Sequence, residues 1–251
     1  MRPPSLALLL AEARILFELN ASLLLSPLLL QAPKGDGHPV LVLPGLLASD
    51  LSMAPMRRFL KHLGYHSHAW DLGRNTGGIY KMRAKVRERL RRIHHQAGRK
   101  VSLVGWSLGG IYARDLALHA PEMVRSVISL GSPFTGDLSA TNARRAYEML
   151  SGERLQDVEV ADLVALAGDL PVPTSSIYSK TDGIVNWRTS VLRPSASAEN
   201  IEVYLASHVG LPVNAAVLWA VADRLAQREG TFRPFDRAGP FALAYAPASS
   251  G

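Results

Sequence analysis

Cysteine is missing from all 251 positions. Disulfides, thiolate catalysis and cysteine-held zinc are therefore excluded, while the redox compartment stays open. Long apolar runs are also missing. Within residues 1–37 the longest uncharged stretch, Leu19 to Pro33, contains Pro27 and is too short to span a bilayer comfortably. The run Leu6 to Ala11 is too short for the apolar core of a secretory signal. Glu12, Arg14 and Glu18 interrupt the apolar character beyond it, although Ala11-Glu12-Ala13 has the small-x-small form of a cleavage site and keeps export open. The expectation for residues 1–37 is a helical extension packed on the body of the protein. The competing expectation is peripheral membrane or lipid contact through residues 1–30. A cytoplasmic or peripheral-membrane location fits both.

There is no internal repeat and no nucleic-acid-binding motif. The formal net charge is nevertheless +7, and basic surfaces attract polyanions. The densest basic run, Lys81 to Lys100, carries Met82, Val86, Leu90 and Ile93, which continue from Ile79 at steps of three or four. That spacing is one apolar stripe of a surface helix, with the charges on its solvated face. No nucleic-acid partner is expected.

The chain does contain short apolar runs alternating with helical patterns. His38–Leu43, Tyr65–Trp70, Lys100–Val104, Val124–Leu130, Thr174–Ser179 and Ile201–Leu205 read as strands. Pro55–Leu63, the arginine-rich run, Ser107–His119 and Asn214–Arg228 read as helices. Residues 232–251 read as an irregular or mobile tail. Buried strands alternating with helices imply a mainly parallel sheet covered on both faces, within a single α/β domain. Ligands bind such sheets at the carboxyl ends of the strands.

Gly105-Trp106-Ser107-Leu108-Gly109 follows a strand and opens a helix. A G-x-S-x-G sequence in that context is a nucleophile elbow: small residues permit the tight turn, and the turn lifts the serine hydroxyl above the sheet edge. After such an elbow, the acid and then the histidine come in chain order. Only His119 and His208 lie beyond Ser107. His119 closes the helix, where a cation favours the dipole, so His208 is the candidate base. Asp182 follows the preceding strand directly and is the candidate acid. Asp157, Asp162 and Asp169 have no strand before them and rank lower. The amides of Leu46, after the first core strand, and of Leu108, after the serine, are the candidate oxyanion donors.

The segments VLVLPGLL, VSLVGWSLGG, VISLGSP, TSSIYSKTDGIVN and NIEVYLASHVGL span residues 40–211. Together they resemble the α/β-hydrolase superfamily, in particular its small lipase- and esterase-like members, including the minimal bacterial lipases. The resemblance implies an α/β-hydrolase fold with nucleophile Ser107, acid Asp182 and base His208, and an oxyanion hole at Leu46 and Leu108. Many such lipases have His-Gly in the oxyanion loop, where this chain has Pro44-Gly45. The function implied is serine hydrolysis of a small-molecule carboxylic ester with an apolar acyl chain, needing no metal and no organic cofactor. Two rivals stand beside it: an acyltransferase using the same three residues, and a non-catalytic lipid- or partner-binding protein on this fold. Residues 137–170 are expected to form a small helical cap. Tyr147, Leu150, Leu155, Val158, Leu163, Val164 and Leu166 would then line an acyl pocket, or else pack onto the sheet.

Overall fold

The computed structural model describes residues 1–135, 140–152, 160–193 and 195–248. Among them, six strands form one sheet: β1 Pro39–Leu43, β2 His66–His68, β3 Val101–Trp106, β4 Val124–Leu130, β5 Thr174–Tyr178 and β6 Ala198–Glu202. Their order is β2-β1-β3-β4-β5-β6, with every neighbouring pair parallel. The helices are α1 Leu6–Leu10, α2 Ile15–Leu24, α3 Ser26–Leu29, α4 Ala54–His62, α5 Ile79–Ala97, α6 Leu108–His119, α7 Arg144–Ser151, α8 Val160–Ala167 and α9 Ala215–Leu225.

Side chains alternate across each strand, and here both faces are covered. Val40 and Val42 of β1 join one core, with Met56 and Leu60 of α4 and Val217 and Val221 of α9. Leu41 and Leu43 join the other, with Val86, Leu90 and Ile93 of α5 and Ile111 and Leu116 of α6. This two-sided burial is why β1 reads as a continuous apolar run. Each fully buried side chain of this size stabilises the fold by about 1.5–3 kcal/mol relative to exposure. In α5 the residues Ile79, Val86, Leu90 and Ile93 are buried, as their spacing requires.

Beyond shifts of a few residues at the ends of other elements, three regions differ from the sequence reading. Strand β6 begins earlier and ends earlier than Ile201–Leu205. As an edge strand it pairs only with β5, so its polar residues find other partners: Glu199 accepts from Ser175 and from the Phe235 amide, and Asn200 bonds Leu192. Leu205 then turns the chain with φ 55°. The tail is irregular but docked, because it buries Phe235, Phe241 and Tyr245 in the α9 core. The segment 137–170 divides into two parts. Helix α7 places Tyr147 in the interior, whereas α8 packs on α6, and its Leu166 belongs to the core. Leu150 and Val164 are exposed. Asp157, Leu155, Val158 and the side chain of Leu163 lie outside the described residues.

Helices α1 to α3 form the N-terminal extension, and α2 and α3 contact α9. Among the described residues, no helix is long and apolar enough to cross a membrane.

Candidate active site

Ser107 sits between β3 and α6 with φ 54° and ψ −121°, a strained conformation for a residue with a side chain. Helix α6 therefore begins at Leu108, one residue later than the sequence suggests. A methyl group on Gly105 would collide with the Gly109 carbonyl, and one on Gly109 with the Leu43 carbonyl. The two glycines thus allow strand and helix to approach closely enough for the turn. The Ser107 amide donates to the Leu130 carbonyl at 2.8 Å, which ties the elbow to the end of β4.

Asp182 and His208 meet at the same sheet edge. Asp182 Oδ2 lies 2.6 Å from His208 Nδ1, and both residues are buried. The other oxygen, Oδ1, accepts from the amides of Ile184 at 2.9 Å and Val185 at 2.7 Å, which fixes the carboxylate. Gly131, the residue after β4, lies against both partners: a methyl group there would stand 3.1 Å from Asp182 Oδ2 and 3.2 Å from His208 Nδ1. Burial alone would push the His208 pKa down. The charge and hydrogen bond of Asp182, with the charge of Glu12, outweigh it and raise the pKa above the ordinary histidine value. Trp106 joins this pair to the elbow, since its Nε1 donates to the His208 carbonyl at 3.0 Å and the two rings lie 5.8 Å apart. Ser107 Oγ makes no hydrogen bond to His208 among the described residues; in free enzymes such contacts often tighten only with substrate bound. His119 stays away, half exposed at the end of α6 with Nδ1 on the Asp115 carbonyl. Asp162 is engaged by Arg83, and Asp169 is exposed.

The loop from Pro44 to Ala48 faces the elbow. A methyl group on Gly45 would stand 3.1 Å from Ser107 Cβ, so glycine allows the loop to lie on the serine. Among the described residues, neither the Leu46 nor the Leu108 amide donates a hydrogen bond. The loop is held by Asn75, which the sequence reading passed over. Its carbonyl accepts from the Leu47 amide at 2.7 Å, its amide donates to Ala48 O at 2.8 Å, and its Nδ2 donates to Pro44 O at 2.8 Å. Tyr112 donates to Asn75 Oδ1 at 3.2 Å.

An apolar cavity opens beside Ser107, lined by Leu46, Ile79, Leu108, Ile111, Pro133, Thr141, Ala143, Tyr147 and Val185. The lining is almost wholly apolar, as an acyl chain requires. Another, smaller cavity lies at the opposite end of β4 and β5 and includes Arg125 and Arg224. Those arginines are already paired, Arg125 with Asp36 and Arg224 with Asp223 and Glu199.

The N-terminal extension reaches this edge through its charges. Glu12, Arg14 and Glu18 turn inward: Glu12 Oε1 accepts from the His208 amide at 3.0 Å, Glu18 Oε1 from the Ser207 amide at 2.9 Å, and Arg14 donates to the Ala206 carbonyl at 3.0 Å. In the sequence they stood only as interruptions of an apolar run.

The model of a family described as palmitoyl protein thioesterase matches residues 39–168, just over half of the chain. That span holds Leu46, Ser107 and Leu108 and stops before Asp182 and His208. No curated protein sequence matches. Among solved structures, Aspergillus fumigatus lipase B is similar with a TM-score of 0.62 at 17% identity, over 77% of this chain and 53% of the fungal one. The match therefore spans about half of that lipase. A Bacillus licheniformis lipase has a TM-score of 0.56 at 19% identity, over 79% of this chain and 95% of its own. A monoacylglycerol lipase of Paleococcus ferrophilus has a TM-score of 0.55 at 14% identity, over 77% and 96%. At these identities the likeness is one of fold, and the fold is that of the α/β-hydrolases.

Proposed function

The chain belongs to the palmitoyl protein thioesterase family, and on that footing we propose that it hydrolyses acyl esters, long-chain thioesters foremost, through an acyl-enzyme on Ser107. The observation that carries the reading is the buried Asp182–His208 contact of 2.6 Å at the same sheet edge as the strained serine. The apolar cavity beside Ser107 supports an acyl chain as the group bound.

In this reading His208 Nε2 takes the Ser107 proton as Oγ bonds to the acyl carbon. Asp182 holds Nδ1 and stabilises the imidazolium. The carbonyl oxygen gains negative charge, and the amides of Leu46 and Leu108 stabilise it, helped by the N-terminus of α6. The carbon–sulfur or carbon–oxygen bond then breaks, and His208 returns its proton to the leaving group. A thiol, with a reference pKa of about 8.5, needs that proton less than an alcohol does. Water, deprotonated by His208, releases the fatty acid and restores Ser107.

The test is kcat/KM for acyl thioesters and oxygen esters of increasing chain length, with Ser107→Ala as the blank. Each methylene buried in the cavity contributes about 0.8 kcal/mol, roughly fourfold in kcat/KM, until the cavity is full. A flat profile in both series would remove the long-chain assignment. Acyl transfer to an added alcohol in preference to water would assign the transferase reaction instead.

A further inference from the structure

We propose that Glu12, in the N-terminal extension, is a positioning residue that locks the loop bearing His208 to the turn bearing Asp182. The inference rests on the reading of His208 as the base. Glu12 Oε1 accepts from the amides of Gly183 at 2.8 Å and His208 at 3.0 Å, and Oε2 accepts from Val209 at 2.9 Å. One carboxylate therefore binds the residue after Asp182, His208 itself and the residue after His208. The main chain of His208 is consequently held from two sides, with its carbonyl on Trp106 and its N–H on Glu12.

The surroundings leave little freedom. A methyl group on Gly183 would collide with the Leu8 carbonyl, and one on Gly210 with the Glu18 carboxylate. Glu18 takes the Ser207 amide and Asn214 Nδ2, each at 2.9 Å. Arg14 lies between the two acids and donates to the carbonyls of Thr181 and Ala206, one on each loop. Burying a carboxylate costs several kcal/mol unless donors replace its water. Glu12 receives three such donors, all from the loops that carry the acid and the base. The outer face of the same helices is uncommitted: Leu10, Phe17 and Leu24 are exposed. The inward charges, and not the helices as such, grip the site.

Two acids bear on the charge of His208 directly: Asp182 through the ring bond and Glu12 from the extension. Arg14 and Glu18 lie one residue further out, on Ala206 and Ser207. Glu12→Gln keeps the shape and one acceptor oxygen but removes the charge and faces an NH₂ group to one loop amide. In this variant of the full chain, kcat should fall at least tenfold with KM within about threefold, because the apolar cavity is untouched. The His208 ring should titrate lower, because the Glu12 charge that favours the imidazolium is gone. That shift is to be read by NMR of labelled histidine, with the resonance assigned by its loss in His208→Ala. Glu12→Ala should lose more rate than Glu12→Gln, whereas Leu24→Ser on the outer face should change neither readout. Folded Glu12→Gln with unchanged kcat and an unchanged His208 titration would overturn the proposal. Because the NMR readout needs no turnover, it separates this outcome from failure of the serine assignment, which Ser107→Ala tests independently. Should Glu12→Ala fail to fold, the paired readouts on Glu12→Gln decide.

Discussion

The proposed nucleophile and the proposed acid–base pair are held in different ways. Ser107 is held by neighbours in sequence: β3 before it, α6 after it and glycines two positions to either side, which allow the turn. His208 and Asp182 stand on loops that add to local hydrogen bonds, such as those from Ile184 and Val185 to Asp182, others from far along the chain, from Glu12, Arg14 and Glu18 at the N-terminus. A tight turn can be specified by five consecutive residues. A loop that must carry a histidine to a fixed point over the sheet edge has no such local code and is held by buried charge.

The largest expected effects fall on the reacting groups. Ser107→Ala should lower ester or thioester turnover by on the order of 10⁴-fold or more, and His208→Ala by a comparable factor. His119→Ala should retain most activity, since its ring only caps α6. Steady-state kinetics on the three purified variants checks this. Equal losses in His119→Ala and His208→Ala would erase the distinction between the loop and the helix end.

Next in size is the proposed oxyanion loop, an intermediate case held by one buried residue, Asn75. Asn75→Ala frees Pro44 to Ala48 and should lower kcat by about 10- to 100-fold, below the cost of deleting an oxyanion donor outright. A change within twofold in folded protein would mean that the loop supports itself.

Two variants divide the segment after β4. Leu166→Ala removes a core side chain and should cost about 2–5 kcal/mol of stability in denaturant melts, leaving the chain-length profile unchanged. Tyr147→Ala opens the cavity beside Ser107 and should move the preferred acyl length upward. A reversal of the two results would place the acyl pocket under α8.

A smaller effect concerns pH. The proposed mechanism needs neutral His208, and its pKa is raised by Asp182 and Glu12 against the opposing effect of burial. Activity should therefore climb as pH rises through a midpoint above the ordinary histidine value of about 6.5. The midpoint is read from kcat/KM across a pH series. A midpoint at or below the ordinary value would mean that the carboxylates do not dominate the site.

The same contrast explains what the sequence revealed. Ser107, Asp182 and His208 could be singled out because each comes after a strand and the fold imposes their order. The limits of β6 were misplaced because Ala198 to Asn200 look polar, and an edge strand satisfies such residues from its open side. Asn75 lies in a glycine-flanked loop without periodicity, and its value comes from contacts with a loop about thirty positions away. Glu12, Arg14 and Glu18 were visible only as charges that prevent a membrane span. Their partners lie more than 160 positions distant, and no local pattern announces such pairs.

The most direct test of Ser107 as the nucleophile is covalent labelling of the native protein with a fluorophosphonate probe, then peptide mass mapping, with and without a palmitoyl thioester as competitor. One adduct is expected, on Ser107, suppressed by the competitor and absent from Ser107→Ala and His208→Ala. Labelling at another residue, or undiminished thioester turnover in Ser107→Ala, would contradict that assignment.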